Sequence, residues 1–575
     1  MNLSTIQATV RRRLQEAIIH PFVSAAFPVL SLYVHNMGKG HFREAIAIAI
    51  GVSVLAALLW LFIGLFVKDR RKAAIIVSCF FILSFSYGHA ISAAGTLLER
   101  THLQEKAEPL VAGESAFYLW LVLWGILFAV VCYFTISSKS DLRPATRILN
   151  TFALALMVVV AVNFGAGGVQ MYLPSSVRAR IHTIAVRARS GQAREASTDA
   201  YKYQVHLPWV ARDDRDIRAS DQANAAEFME SWQEQEQVGA FVEDVVSDSS
   251  PDIYYIILDM YARADFLEKK YQYDNSEFLS FLADRGFYVA DQSRTNYAHT
   301  PSSLASSLNL MYLDDIAEQM GDISTNYQPL FAMLKHNRVF QFLRHHGYTI
   351  VAFSSGHEFT EIRDADVYMR PAGWQPTDFQ NALLSTTPLA ALQKTQDDIH
   401  RGRILYTFDH LADVARIEAP TFAFAHISSP HPPYVFGANG EPVHYKPHVE
   451  LEYDEFVEAY VNQLAFISKK TQATIEEILA QSPEPPIIIV QSDHGPVYLR
   501  HDIPERMSIL NAYYFPDQNY DALYEGITPV NTFRVVLNGY FGTGYEILED
   551  KSYFSELRNK IYSYTDVTDQ VLNGG

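Results

Sequence analysis

The chain has 575 residues, longer than one ordinary domain, so two or more units are expected. Its 46 Lys and Arg against 64 Asp and Glu leave a formal net charge of −18. That excludes the basic face a nucleic-acid binder presents to phosphates. A mean hydropathy of −0.02 conceals two unlike halves: up to about residue 172 the sequence is apolar with rare charges, and beyond it acidic and aromatic residues dominate.

Five apolar stretches come first, at roughly residues 21–34, 45–67, 73–94, 116–136 and 148–168. The middle three approach the ~20 residues that carry a helix across the hydrocarbon core. The first is interrupted by His20, Pro21 and Pro28. Successive runs of this length are hard to hide in a soluble core, and the further spans that follow argue against a cleaved leader. Few ionisable residues interrupt the runs, which argues against a transport pathway. Cys79 and Cys132 both lie inside apolar runs, so neither a disulfide framework nor a thiolate metal site is implied.

Lysine and arginine set the orientation. Arg11, Arg12 and Arg13 precede the first stretch. Lys68, Arg70, Arg71 and Lys72 separate the second from the third, and Lys139, Arg143 and Arg147 the fourth from the fifth. The alternate loops carry only Lys39 and Arg43, then Arg100 and Lys106. The N-terminus is therefore expected in the cytoplasm. Five crossings leave the C-terminal domain outside it, on a count that depends on the first stretch crossing.

The expected organisation is a transmembrane bundle over 1–172, a connector over 173–250 and an α/β domain over 251–575. Val177 to Arg194 sets five arginines among apolar residues. It reads either as a helix lying on the membrane surface or as a solvated helix packed on the soluble domain. Asp213 to Glu236 is polar and acidic and reads as a helical or loose linker.

Beyond Pro251, short β-branched runs at 253–258, 349–353, 421–425 and 487–490 alternate with helical patterns at 276–285, 330–345 and 453–480. This predicts an α/β domain with a mainly parallel sheet covered on both faces. Ligands in such sheets bind beyond the carboxyl ends of the strands. Asp259 follows the first run, and Gly356-His357-Glu358 the second. His426 and Pro430-His431-Pro432-Pro433 follow the third, and Ser492-Asp493-His494-Gly495 the fourth. A carboxylate after a strand is usually a turn former or helix cap, but four strands converging on one edge is a stronger signal. Carboxylates with neutral imidazoles suit Mn²⁺, Zn²⁺ or Mg²⁺. In Asn296 to Leu308 a loop enters a helix, with Thr300 expected at the N-cap and Pro301 at the first helical position. A helix start of that kind favours an anion, such as a phosphate or a threonine alkoxide.

Asp259 after a strand, the run Thr300-Pro-Ser-Ser303-Leu-Ala305 and Ser492-Asp493-His494-Gly495 occur in this order. The set resembles the sulfatase and alkaline phosphatase superfamily. More closely it resembles the membrane-anchored lipoteichoic acid synthases and the phosphoethanolamine or phosphoglycerol transferases. The resemblance implies one divalent metal, commonly Mn²⁺, on Asp259, Thr300, Asp493 and His494. It implies Thr300 as nucleophile, His431 as a substrate-binding histidine, and His426, His357 and Arg506 as further substrate candidates. It also implies a phospholipid donor and a glycan or lipid acceptor outside the cytoplasm. Thr300 stands where sulfatases mature a Cys or Ser to formylglycine, and Leu304 where an Arg would be, which disfavours sulfate-ester hydrolysis. Met260 replaces the second carboxylate of the two-metal phosphatases. A hydrolase that passes the intermediate to water shares the same residues, and a non-catalytic binding or assembly factor would have no need for them.

Overall fold

The computed structural model describes residues 17–36, 42–100, 113–169, 224–225, 227–229, 231–232, 250–373, 376–389, 393–445, 448–496, 498, 502–556 and 560–573. Val177–Arg194 lies outside them. The chain divides into two compact units, one of residues 1–222 with 378–393, the other of 223–377 with 394–575.

The first unit contains α1 (His20–His35), α2 (Phe42–Val67), α3 (Arg70–Arg100), α4 (Gly113–Ser137) and α5 (Arg143–Val169). The last four are long and apolar enough to cross a membrane. At 16 residues, α1 is about 24 Å long, short of the roughly 30 Å hydrocarbon core. It is nonetheless built into the bundle. Ile19 cannot cap a helix, and Asn150 of α5 does so instead: its Oδ1 accepts from the N–H of Ile19 and of His20, each at 3.1 Å, and its Nδ2 donates to Ala17 O at 2.7 Å. Ala25, Ala56, Val77 and Phe81 pack inside, while Leu61, Leu65, Phe66, Phe134 and Phe152 face outward, as lipid-facing residues do.

The second unit is an α/β domain. Its elements are β1 (Ile253–Leu258), α6 (Ala264–Tyr271), α7 (Ser276–Asp284), β2 (Tyr288–Val289), α8 (Thr300–Asn309), α9 (Asp314–Met320), α10 (Gln328–Lys335), α11 (Arg338–His345), β3 (Thr349–Phe353) and β4 (Val367–Met369). Beyond the insert described below come α13 (Gln393–His410), β5 (Thr421–Ile427), α14 (Tyr453–Gln481), β6 (Ile487–Gln491), α15 (Ile503–Met507), β7 (Asn511–Tyr514), α16 (Pro529–Phe541), β8 (Tyr553–Glu556), β9 (Lys560–Asp566) and α17 (Thr568–Asn573). Seven strands form one sheet in the order β2-β7-β6-β1-β5-β3-β4, parallel from β6 through β4, with β7 antiparallel to both β6 and β2. β1 lies at the centre and is buried throughout. Ile253, Tyr255 and Ile257 enter the core on one face, and Tyr254, Ile256 and Leu258 the core on the other. Two-sided burial is why the strand reads as an unbroken apolar run.

The helical pattern at 330–345 is two helices. The break falls at His336–Asn337, where Asn337 Oδ1 accepts from Phe340 N at 2.8 Å and starts α11. The described residues of the connector belong to this unit, Phe228 and Trp232 being buried in its core.

Between β4 and α13 the chain leaves the α/β domain. Helix α12 (Asp378–Ser385) and the residues after it belong with the bundle. Gln380 Nε2 donates to Glu44 Oε1 at 2.9 Å. Gly88 N donates to Thr386 O at 3.0 Å, and a β-carbon on Gly88 would sit 2.1 Å from Ser385 O. Glu44 begins α2 and Gly88 lies far along α3, so the insert meets the bundle at the end remote from the basic loop at 68–72.

Candidate metal and nucleophile site

The parallel register brings the ends of β1, β5 and β6 together, Ile257 pairing with His426 on one side and with Gln491 on the other. Asp259, just past β1, therefore stands between His426 and Asp493-His494. Met260 adopts φ 68°, a left-handed conformation that a side chain rarely takes without a local cause. The turn aims its N–H at Asp493 Oδ1, 3.3 Å away.

Among the described residues, Asp259, Asp493 and His494 bring ligand atoms within 4.8 Å of one another. His494 Nε2 lies 3.8 Å from Asp259 Oδ1 and 3.4 Å from Asp493 Oδ2. Both oxygens are buried, and among the described residues neither has a hydrogen-bond donor. Burying anionic oxygens without a partner is costly, and a divalent cation bound there supplies what they lack. The donor set thus fits a metal.

Burial opposes ionisation of Asp259, but the rings of His431, His426 and His494 outweigh it and hold the carboxyl below the usual range. Burial, then the Asp259 carboxylate, pushes Asp493 up to about 7. Burial, then the Arg506 cation, holds His494 well below its ordinary value. Its ring is neutral: Nδ1 faces Gly495 O at 3.0 Å and carries the hydrogen, so the Nε2 lone pair points at the carboxylates.

Thr300 Oγ1 lies 3.2 Å from His494 Nε2 and Thr300 is 6 % exposed. The expected cap is shifted by one residue. His299, with extended φ −137° and ψ 138°, precedes the helix, and Thr300 is its first helical residue. The reason is visible in the backbone: His299 O accepts the first intrahelical bond, from Ser303 N at 2.9 Å. The Thr300 hydroxyl is then available to His494 instead of the backbone.

The other sequence candidates fall in two groups. His426 Nε2 is 3.3 Å from Asp259 Oδ2, and its Nδ1 lies 2.8 Å from Thr360 Oγ1. His431 N donates to Asp259 O at 3.0 Å, and its ring centroid is 6.2 Å from that of His357. His357 Nε2 lies 2.7 Å from Ser428 Oγ; burial, then His426, holds this ring well below its usual value. Arg506 stands apart, with its guanidinium hydrogen-bonded to Ala298 O, Gly495 O and His299 Nδ1. Sequence reasoning missed Thr360 and His299. Neither sits in a recognisable pattern; each is identified only by what it touches.

The family described as Sulfatase matches residues 251–570, more than half of the chain. The chain belongs to the sulfatase family. No curated protein sequence matches. Among solved structures, the C-terminal periplasmic domain of EcEptC from Escherichia coli is 14 % identical, with 58 % of this chain and 96 % of that one covered at a TM-score of 0.39. The integral membrane protein lipooligosaccharide phosphoethanolamine transferase A (EptA) from Neisseria meningitidis is 12 % identical, with 92 % and 95 % covered at a TM-score of 0.35. A putative sulfatase from Bacteroides thetaiotaomicron is 11 % identical, with 52 % and 72 % covered at a TM-score of 0.35.

Proposed function

We propose that the chain transfers a phospho-alcohol head group, of the phosphoglycerol or phosphoethanolamine type, from a membrane phospholipid to a glycan or lipid acceptor outside the cytoplasm. The observation that carries the reading is the Thr300 hydroxyl 3.2 Å from His494 Nε2, beside two carboxylate oxygens that lack donors among the described residues. Thr300 Oγ attacks the donor phosphorus. Thr300 gives up its proton as the Oγ–P bond forms, the P–O bond to diacylglycerol breaks, and the departing oxygen takes a proton. An acceptor hydroxyl then attacks the same phosphorus: its own O–P bond forms, the Thr300 Oγ–P bond breaks, and the proton the acceptor gives up returns to Thr300.

A divalent cation, by preference Mn²⁺, held by Asp259, Asp493, His494 and Thr300 supplies Lewis acidity to the hydroxyl and to the phosphoryl oxygens. The first turn of α8 adds N–H dipoles facing the anion. His431 stabilises a phosphate oxygen or protonates the leaving alcohol, and His357 and His426 line the head-group side. The bundle at 1–172 holds this site in the cytoplasmic membrane, with the domain at 251–575 on the outer side, through the connector at 173–250.

The test is release of diacylglycerol from fluorescent phosphatidylglycerol and phosphatidylethanolamine with Mn²⁺. Turnover that needs both the metal and Thr300, falling by at least roughly 10³-fold in Thr300→Ala as expected for loss of a nucleophile, supports the reading and names the donor. Turnover undiminished in Thr300→Ala sinks the phospho-threonine step.

A further inference from the structure

One guanidinium joins the loop that carries Thr300 to the loop that carries His494. Arg506 is 7 % exposed. Its Nε donates to Ala298 O at 2.6 Å, its Nη1 to Gly495 O at 2.9 Å and its Nη2 to His299 Nδ1 at 3.3 Å. The backbone repeats the link: Gly495 N donates to Arg506 O, and Thr295 N to Met507 O, each at 2.7 Å. His299 is fixed from the other side as well. Its Nε2 lies 2.7 Å from Ser555 O in β8, so that nitrogen carries the hydrogen and Nδ1 accepts from Arg506. Gly495 O receives two donors, Arg506 Nη1 and His494 Nδ1. Contacts thus run from Ser555 through His299, Arg506 and Gly495 to the His494 ring, and Thr300 follows His299 directly in the chain.

We propose that Arg506 and His299 form a clamp that sets the separation of Thr300 Oγ1 from His494 Nε2 and fixes the His494 ring. Both are positioning residues, not substrate contacts. Three N–H groups of one rigid, planar fork reach three acceptors on two loops about 200 residues apart, a geometry that only arginine provides. Groups that orient a metal-binding histidine through its second nitrogen change affinity and rate without touching the substrate.

The clamp rests on the reading of Thr300 as nucleophile and His494 as ligand. Its test titrates Mn²⁺ into the full-length protein in detergent micelles by calorimetry, and measures turnover of bis(p-nitrophenyl) phosphate. The variants are Arg506→Lys, which keeps the charge without the fork, His299→Leu, which removes the acceptor, and His299→Asn, which restores one. Arg506→Lys and His299→Leu are expected to weaken Mn²⁺ binding and kcat roughly 10- to 100-fold, the range for outer partners of metal ligands. KM stays unchanged, and His299→Asn recovers most of the loss. If Arg506→Lys fails to fold, the two His299 variants decide alone. A loss confined to KM, or binding and kcat within about twofold of wild type, overturns the clamp. A wild type that binds Mn²⁺ but cleaves no phosphodiester sinks the transfer reading only, the affinity ratios still deciding the clamp. A wild type that binds neither Mn²⁺ nor Zn²⁺ overturns both.

Discussion

Gly495 stands where a β-carbon would meet Glu505 O at 2.1 Å, so the turn after His494 admits no side chain. Glu505 itself is 8 % exposed and accepts a hydrogen bond from the Tyr271 hydroxyl. Burial, against the Tyr271 bond and with Asp502 adding to it, pushes its carboxyl up to about 7. A carboxyl whose folded value exceeds its unfolded one, about 4.3, opposes folding once it ionises. The penalty is absent below the unfolded value, grows as pH rises toward the folded value, and is complete above it. Glu505→Gln keeps the acceptor for Tyr271 and removes the charge. It is expected to melt with the wild type near pH 4 and above it near pH 8, by up to about 4 kcal/mol at 1.36 kcal/mol per unit. Thermal unfolding of both proteins at the two pH values checks this, and coincident melting near pH 8 counts against a desolvated carboxyl.

Elements buried on both faces, or long and apolar, were legible in the sequence. β1 and β3 have the boundaries their composition predicts, and β5 and β6 extend by a residue or two. α2 to α5 follow the apolar runs. Features that depend on partners distant in sequence were not legible. The trans cap of α1 by Asn150 requires α5. Nothing in Asp378-Phe-Gln-Asn-Ala-Leu-Leu-Ser385 signals that this helix leaves its own domain. Thr360 becomes significant only when β5 delivers His426 beside it. The insert offers a test at this scale, because Gly88 leaves no room between α3 and Ser385. Gly88→Val is expected to displace the segment, at about 1–3 kcal/mol for overpacking, and to open residues 378–393 to protease. Limited proteolysis with identification of the cut sites reads this directly; an unchanged digest pattern speaks against the close approach.

For the whole molecule, the side on which the α/β domain lies follows from more than the number of crossings. Counting five crossings makes the answer hang on α1, the short helix. The basic loops give it independently. By the positive-inside rule, four basic residues at 68–72 and three at 139–147 favour both loops in the cytoplasm. On that expectation α5 runs outward whether or not α1 crosses, and only the side of the N-terminus depends on α1. The trans cap from Asn150 holds the start of α1 beside the start of α5, the arrangement expected of an N-terminus on the same side as the 139–147 loop. Single cysteines separate these statements, because native Cys79 and Cys132 lie within α3 and α4. A membrane-impermeant maleimide applied to intact cells is expected to label Asp521→Cys, which is exposed in the α/β unit, and to spare Lys139→Cys and Arg13→Cys. Labelling of Arg13→Cys with Lys139→Cys still protected would mean that α1 does not cross while the catalytic domain stays outside. Labelling of Lys139→Cys with protection of Asp521→Cys would reverse the bundle. It would put Thr300 on the cytoplasmic face and remove the extracytoplasmic acceptor from the proposed reaction.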